Sequence, residues 1–80
     1  MNAPSASPLP LPLAAPGKPM TVTAICAGKG LGGRLAGMGL TPGCEVRVLQ
    51  HEGAGLLVAI GGTRLALGLG MAQKILVTPA

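Results

Sequence analysis

The chain has 80 residues, of which 49% are hydrophobic and none is aromatic, and its formal net charge is +4. This length limits it to one small domain, whose core must be aliphatic. The basic residues are scattered singly and no aromatic ring can stack on a base, so the composition argues against nucleic-acid binding.

The first 17 residues, MNAPSASPLPLPLAAPG, carry no charged side chain, yet they predict neither a secretory signal nor a membrane span. They lack the basic start of a signal, and five prolines disrupt the apolar helix it needs. We therefore expect a cytoplasmic protein with no direct membrane span. Residues 1–8 predict a disordered tail, and residues 9–17 an extended segment whose leucines can dock on the core.

Residues 20–27, MTVTAICA, predict the first strand because β-branched side chains dominate them. A glycine-rich segment follows, where we expect a loop. Residues 34–38 then predict one or two helical turns, with Leu35 and Met38 facing the core because they lie three positions apart. Gly39 is placed to end these turns in the left-handed conformation.

The rest of the chain predicts hairpins. Pro42 and Gly43 indicate a tight turn in which Gly43 takes positive φ, and residues 51–55 indicate a hairpin loop. Gly61 and Gly62 indicate a two-residue turn, since both can take positive φ without penalty. Apolar and polar residues alternate between these turns. The remaining strands are predicted at 44–50, 56–60, 63–67 and 74–78.

About five short strands and one short helix predict an all-β fold, a small barrel over residues 9–80. Barrel closure would remove the exposed sheet edges of so apolar a chain. Cys26 and Cys44 lie in apolar strand patterns without an export signal, so we expect reduced thiols in the core. With one His, two Glu and no Asp, the chain lacks the groups for acid–base catalysis, and we expect no enzyme.

Gly28, Gly30 and Gly33 match G-x-G-x-x-G, the pattern of a dinucleotide-binding turn. The helix that would follow ends at Gly39, which is too short to cross back along a sheet, and the later hairpins force antiparallel neighbours. Glu52, which lies at the expected distance downstream, falls in a hairpin loop. We therefore interpret the glycines as a sharp turn from strand to helix.

Residues 34–43, RLAGMGLTPG, resemble the RLxxLGLxPG core of the FeoA family of ferrous iron transport accessory proteins. The similarity continues through the following strands to the ending at 71–77, MAQKILV, and covers about residues 9–80. Met38 stands where the family has Leu, a volume-conserving change. Gly68-Leu69-Gly70 replaces a more polar segment.

The resemblance implies an SH3-like barrel that acts in bacterial ferrous iron uptake and binds the cytoplasmic side of a FeoB-type transporter. A related domain ends some iron-dependent repressors. Because no DNA-binding helices precede the barrel here, a free-standing accessory protein is favoured. The absence of Tyr and Trp argues against a groove for proline-rich ligands.

Three hypotheses for function remain open. The first is an adaptor that contacts the transporter through Lys29, Leu31 and Arg34. The second is weak Fe(II) binding by His51 and Glu52, with Cys44 as a further ligand, in a chain otherwise without a cofactor. The third is an iron-responsive regulatory module that acts as a homo-oligomer.

Overall fold

The computed structural model describes residues 7–80, so positions 1–6 of the predicted tail lie outside the described residues. Within 7–80 the chain forms six strands, two helices and a 3₁₀ turn. These are β1 (Leu9–Pro10), the 3₁₀ turn (Leu11–Leu13), β2 (Pro19–Ile25), α1 (Lys29–Gly37), β3 (Glu45–Glu52), β4 (Gly55–Ile60), β5 (Thr63–Gly68), α2 (Leu69–Ala72) and β6 (Ile75–Pro79).

The strands form one antiparallel sheet in the order β1-β6-β2-β3-β4-β5, with β1 and β5 at its ends. The two end strands do not pair with each other within residues 7–80, so the expectation that closure removes the sheet edges was wrong. The register shifts between Val22 and Ala24 in β2 and between Val48 and Gln50 in β3. Such irregularities bend strands and increase their twist, which lets a small sheet wrap around its own core. The predicted all-β class is confirmed, and the sixth strand is the two-residue β1.

The core is aliphatic, as the composition requires, and no buried polar or charged side chain lies within residues 7–80. In β3, Val46 and Val48 face inward while Glu45 and Arg47 face solvent, which matches the predicted alternation. The buried side chains are Leu11, Ala14, Met20, Val22, Leu35, Leu40, Val46, Val48, Leu56, Val58, Leu67, Ala72, Ile75 and Val77.

The proline-rich segment is part of the folded unit. Leu9 pairs with Val77 in β6, and Leu11 is completely buried. The expectation of an extended chain throughout 9–17 was wrong at the 3₁₀ turn, where the Ala14 N–H donates to the carbonyl oxygen of Leu11 at 3.0 Å. Proline is tolerated at the start of such a turn because its missing N–H has no partner there anyway.

The hairpin between β3 and β4 is tighter than predicted. β3 continues to Glu52, and the connection is the two-residue turn of Gly53 and Ala54, so the predicted five-residue loop was wrong. Gly55 follows at once, and a Cβ there would lie 2.5 Å from the carbonyl oxygen of Leu67. A side chain at this position would therefore push β4 away from β5.

Candidate functional site

The glycine-rich segment is helical rather than a loop. α1 begins at Lys29 after Gly28 in an extended conformation, and the Gly32 N–H donates to the carbonyl oxygen of Gly28 at 2.8 Å. A Cβ at Gly28, Gly30 or Gly33 would meet nothing within 4 Å. The expectation of a sharp glycine turn was therefore wrong, since neither a positive φ nor a close contact requires glycine there.

The end of α1 is fixed by a glycine stop. Gly39 has φ +92°, and its N–H donates to the carbonyl oxygen of Ala36 at 3.0 Å. The Leu40 N–H donates to the carbonyl oxygen of Leu35 at 2.9 Å, and both leucines are buried. These two bonds form a Schellman motif, and the positive φ of Gly39 confirms the predicted left-handed end of the helix.

Met38 is 36% exposed, so its predicted place in the core was wrong. The helix ends at Gly37, and Met38 is its cap with a non-helical backbone. The helical spacing that would place Met38 on the same face as Leu35 therefore does not extend to Met38. The chain then reverses at Gly39, and Leu40 fills the core instead.

The three predicted partner-binding residues lie on α1. Leu31 is half-buried and packs against the core, and Arg34 is its exposed neighbour three positions on. Lys29 is also exposed but lies about 140° around the helix from Arg34. The structure therefore brings Leu31 and Arg34 side by side and leaves Lys29 at the first turn on another face.

The predicted metal ligands lie along one strand. His51 and Glu52 are consecutive in β3, so their side chains project to opposite faces. Glu52 accepts a hydrogen bond from Gln50 Nε2 at 2.5 Å. Cys44 directly precedes the other end of β3, so it lies more than about 20 Å from His51 along the strand. Within residues 7–80, no group of three or more His, Cys, Asp and Glu residues is placed to hold a metal ion.

The thiols differ in their surroundings. Cys44 is half-buried and packs against the core, whereas Cys26 is exposed, so the expectation that both belong to the core was wrong for Cys26. β2 ends at Ile25, which places Cys26 in the connection to α1 rather than in the strand.

A surface that the sequence did not reveal lies on the outer face of the sheet. It is an open groove of about 630 Å³. Its lining residues are Glu45, Arg47, Leu49, Ala59, Gly61, Gly62, Thr63 and Arg64. Residues directly opposite one another on paired strands share a face, and here Arg47 pairs with Ala59 and Ala59 pairs with Arg64.

The two arginines therefore flank the small side chain of Ala59, with about 9.5 Å between their strands. Nη2 of Arg47 lies 3.6 Å from Oε2 of Glu45, and both side chains are about half exposed. Arg64 has no carboxylate partner within residues 7–80. Alternation places each arginine outward, but only the strand register shows that they share one row.

None of the helices within residues 7–80 has the length and apolar character needed to span a membrane.

The chain is similar to known proteins over almost its whole length. The family model of the FeoA domain matches residues 9–79. A protein of Methanocaldococcus jannaschii named as an Fe(2+) transport protein A is 34% identical over 71 residues, which cover 89% of this chain and 87% of that protein.

Solved structures extend the comparison. The crystal structure of an iron uptake regulatory protein, FeoA, has a TM-score of 0.84 and 33% identity, with 92% of this chain and 100% of that chain covered. The solution structure of FeoA from Chlorobium tepidum has a TM-score of 0.81 and 26% identity, with 89% and 70% covered. A manganese-dependent transcriptional repressor has a TM-score of 0.85 and 26% identity, with 96% and 44% covered.

These matches extend over nearly the whole barrel, from β1 to β6, and confirm the SH3-like fold that the RLAGMGLTPG motif implied. The chain belongs to the FeoA family.

Proposed function

We propose that this chain is a non-enzymatic accessory protein of ferrous iron uptake that binds the cytoplasmic part of a FeoB-type transporter. The observation that carries this proposal is the family match over residues 9–79. The relative from M. jannaschii, whose name refers to Fe(2+) transport, supports the same assignment.

The α1 surface is the proposed contact. Arg34 offers an exposed guanidinium beside the half-buried Leu31, and Lys29 adds a second positive charge at the first turn. Such a pairing of apolar contact with basic side chains suits a partner surface that has an apolar pocket with acidic groups around it. The helix is anchored to the core through Leu35, which holds these side chains on a defined backbone.

A pull-down with the soluble cytoplasmic part of the transporter tests this contact. We expect the double variant Lys29→Glu/Arg34→Glu to lose most of the capture seen with the unaltered chain, because each change replaces attraction by repulsion. The control is Lys18→Glu/Lys74→Glu, which changes two other exposed lysines and alters the net charge equally. Equal capture of the α1 variant and the control would remove α1 from the interface.

A second candidate function is metal handling in a regulatory module that forms homo-oligomers. It is favoured by the manganese-dependent repressor that shares this fold. Anaerobic calorimetry with Fe(II) separates it from the adaptor function. Stoichiometric binding that His51→Ala abolishes, together with a metal-dependent change in sedimentation, would support it. For an adaptor without a metal site, we expect no stoichiometric Fe(II) binding in the calorimeter and no metal-dependent change in sedimentation.

A further inference from the structure

The groove on the outer face of β3, β4 and β5 is a second docking surface, separate from α1. We infer that it binds an extended acidic segment of a protein partner, with one carboxylate at Arg64 and another at Arg47. The inference goes beyond the proposed function because it does not require the partner to be a transporter. No residue of α1 lines the groove.

The charges of the groove favour an acidic occupant. Arg64 carries a guanidinium with five N–H donors and has no carboxylate partner within the described part of the chain. The Arg47–Glu45 contact, at 3.6 Å between half-exposed groups, is longer than a charge-assisted hydrogen bond and is weak. Both arginines are therefore available to a carboxylate from outside.

The shape of the groove favours a chain segment over an enclosed small molecule. All eight lining residues are exposed or half-buried, whereas a pocket for a small ligand buries most of that ligand's surface. The floor of the groove has only small side chains, with a methyl group at Ala59 and glycines at 61 and 62. The backbone of a bound segment can therefore approach the sheet closely. Leu49 provides an apolar contact at the side.

The arrangement of the two arginines favours an extended conformation for that segment. Arg47, Ala59 and Arg64 lie in one row across β3, β4 and β5, so a segment that meets both arginines crosses the strands. In an extended chain, side chains two positions apart point to the same side and lie about 6.6 Å apart. Two acidic residues at that spacing can both face the sheet, and the long arginine side chains span the remaining distance to a separation of about 9.5 Å between their strands.

An NMR titration tests the inference. The probe is a short Gly-Ser peptide with two glutamates two positions apart, added to the ¹⁵N-labelled full chain. We expect the largest amide shifts at Ala59, Gly61, Gly62, Thr63 and Arg64, and a weaker response at higher salt because the charges are partly exposed. Shifts centred on α1, or no shifts at all, would overturn the inference.

Matched reagents make the result specific. We expect Arg64→Gln to raise the dissociation constant about threefold to fivefold, the effect of losing an exposed ion pair. Lys74→Gln, an equal change of charge on an exposed residue outside both α1 and the groove, should leave the constant unchanged. An equal response to a peptide with glutamines in place of the glutamates would contradict the inference, and so would tighter binding of phosphatidylserine vesicles to the same groove.

The outcome is independent of the proposed function. Failure of the transporter pull-down leaves the groove assignment intact if the acidic peptide binds at Arg64. Failure of the peptide titration leaves the adaptor proposal intact if Lys29→Glu/Arg34→Glu loses transporter capture.

Discussion

The glycine that ends α1 acts through backbone conformation rather than through space. Gly39 has φ +92° at the end of α1, and a Cβ there would lie 3.7 Å from Cγ2 of Ile60, an ordinary contact. We expect Gly39→Ala to lower the free energy of unfolding by about 1–2 kcal/mol, the cost of the left-handed conformation for a residue with a Cβ. Urea unfolding followed by circular dichroism measures it, since the chain has no aromatic residue for fluorescence.

The matched control is Gly37→Ala, two positions earlier. Gly37 is helical, and a Cβ there would meet nothing within 4 Å. We expect this variant to raise the free energy of unfolding by up to about 1 kcal/mol, because alanine loses less conformational entropy than glycine in a helix. Opposite signs for the two variants identify backbone conformation as the cause; equal destabilisation would show that side-chain space matters instead.

Residue-level predictions succeeded where the requirement is local. Gly39 and Gly43 have positive φ as expected, because a helix stop and a tight turn each need one. At the turn from β4 to β5 the predicted two-residue connection is confirmed, and Gly61 has positive φ whereas Gly62 does not, as in a type II′ turn. Burial was harder to predict, as Met38 shows, because it depends on where an element ends.

Among the elements, α1 shows how tertiary contacts outweigh helix propensity. Four of its nine residues are glycine, and each costs about 1 kcal/mol relative to alanine. The sequence therefore predicts a loop up to Gly33 and helical turns only from Arg34. The helix forms because Leu35 is buried, Leu31 packs beside it and the stop at Gly39 and Leu40 satisfies the last carbonyls. None of these contacts can be inferred from propensity.

The strands were predicted to within a few residues, because alternation and turn chemistry are properties of short segments. What alternation cannot give is the register between strands. The row that joins Arg47, Ala59 and Arg64 depends on that register and on the shift between Val48 and Gln50 in β3. The groove was therefore missed, although each of its arginines was correctly expected to point outward.

At the scale of the whole molecule, the N-terminal segment is part of the folded barrel. Leu11 and Ala14 are buried, and β1 pairs with β6 at one end of the sheet. Because a domain of this size has little core to spare, one fully buried leucine contributes a large share of its stability. We propose that the folding domain begins at Leu9 and that residues 1–8 are a tail.

Two leucines of the same turn, one buried and one exposed, test this boundary. Leu11 is 0% exposed and Leu13 is 70% exposed, within the same 3₁₀ turn. We expect Leu11→Ala to lower the free energy of unfolding by about 2–5 kcal/mol, through lost burial and the cavity left behind. Leu13→Ala should change it by less than about 0.5 kcal/mol, as should a chain that starts at Leu9 after an initiator Met. Urea unfolding of all three gives the comparison. A large loss on removing residues 1–8 would place the boundary before Leu9, whereas a loss for Leu11→Ala no larger than for Leu13→Ala would exclude the segment from the cooperative unit.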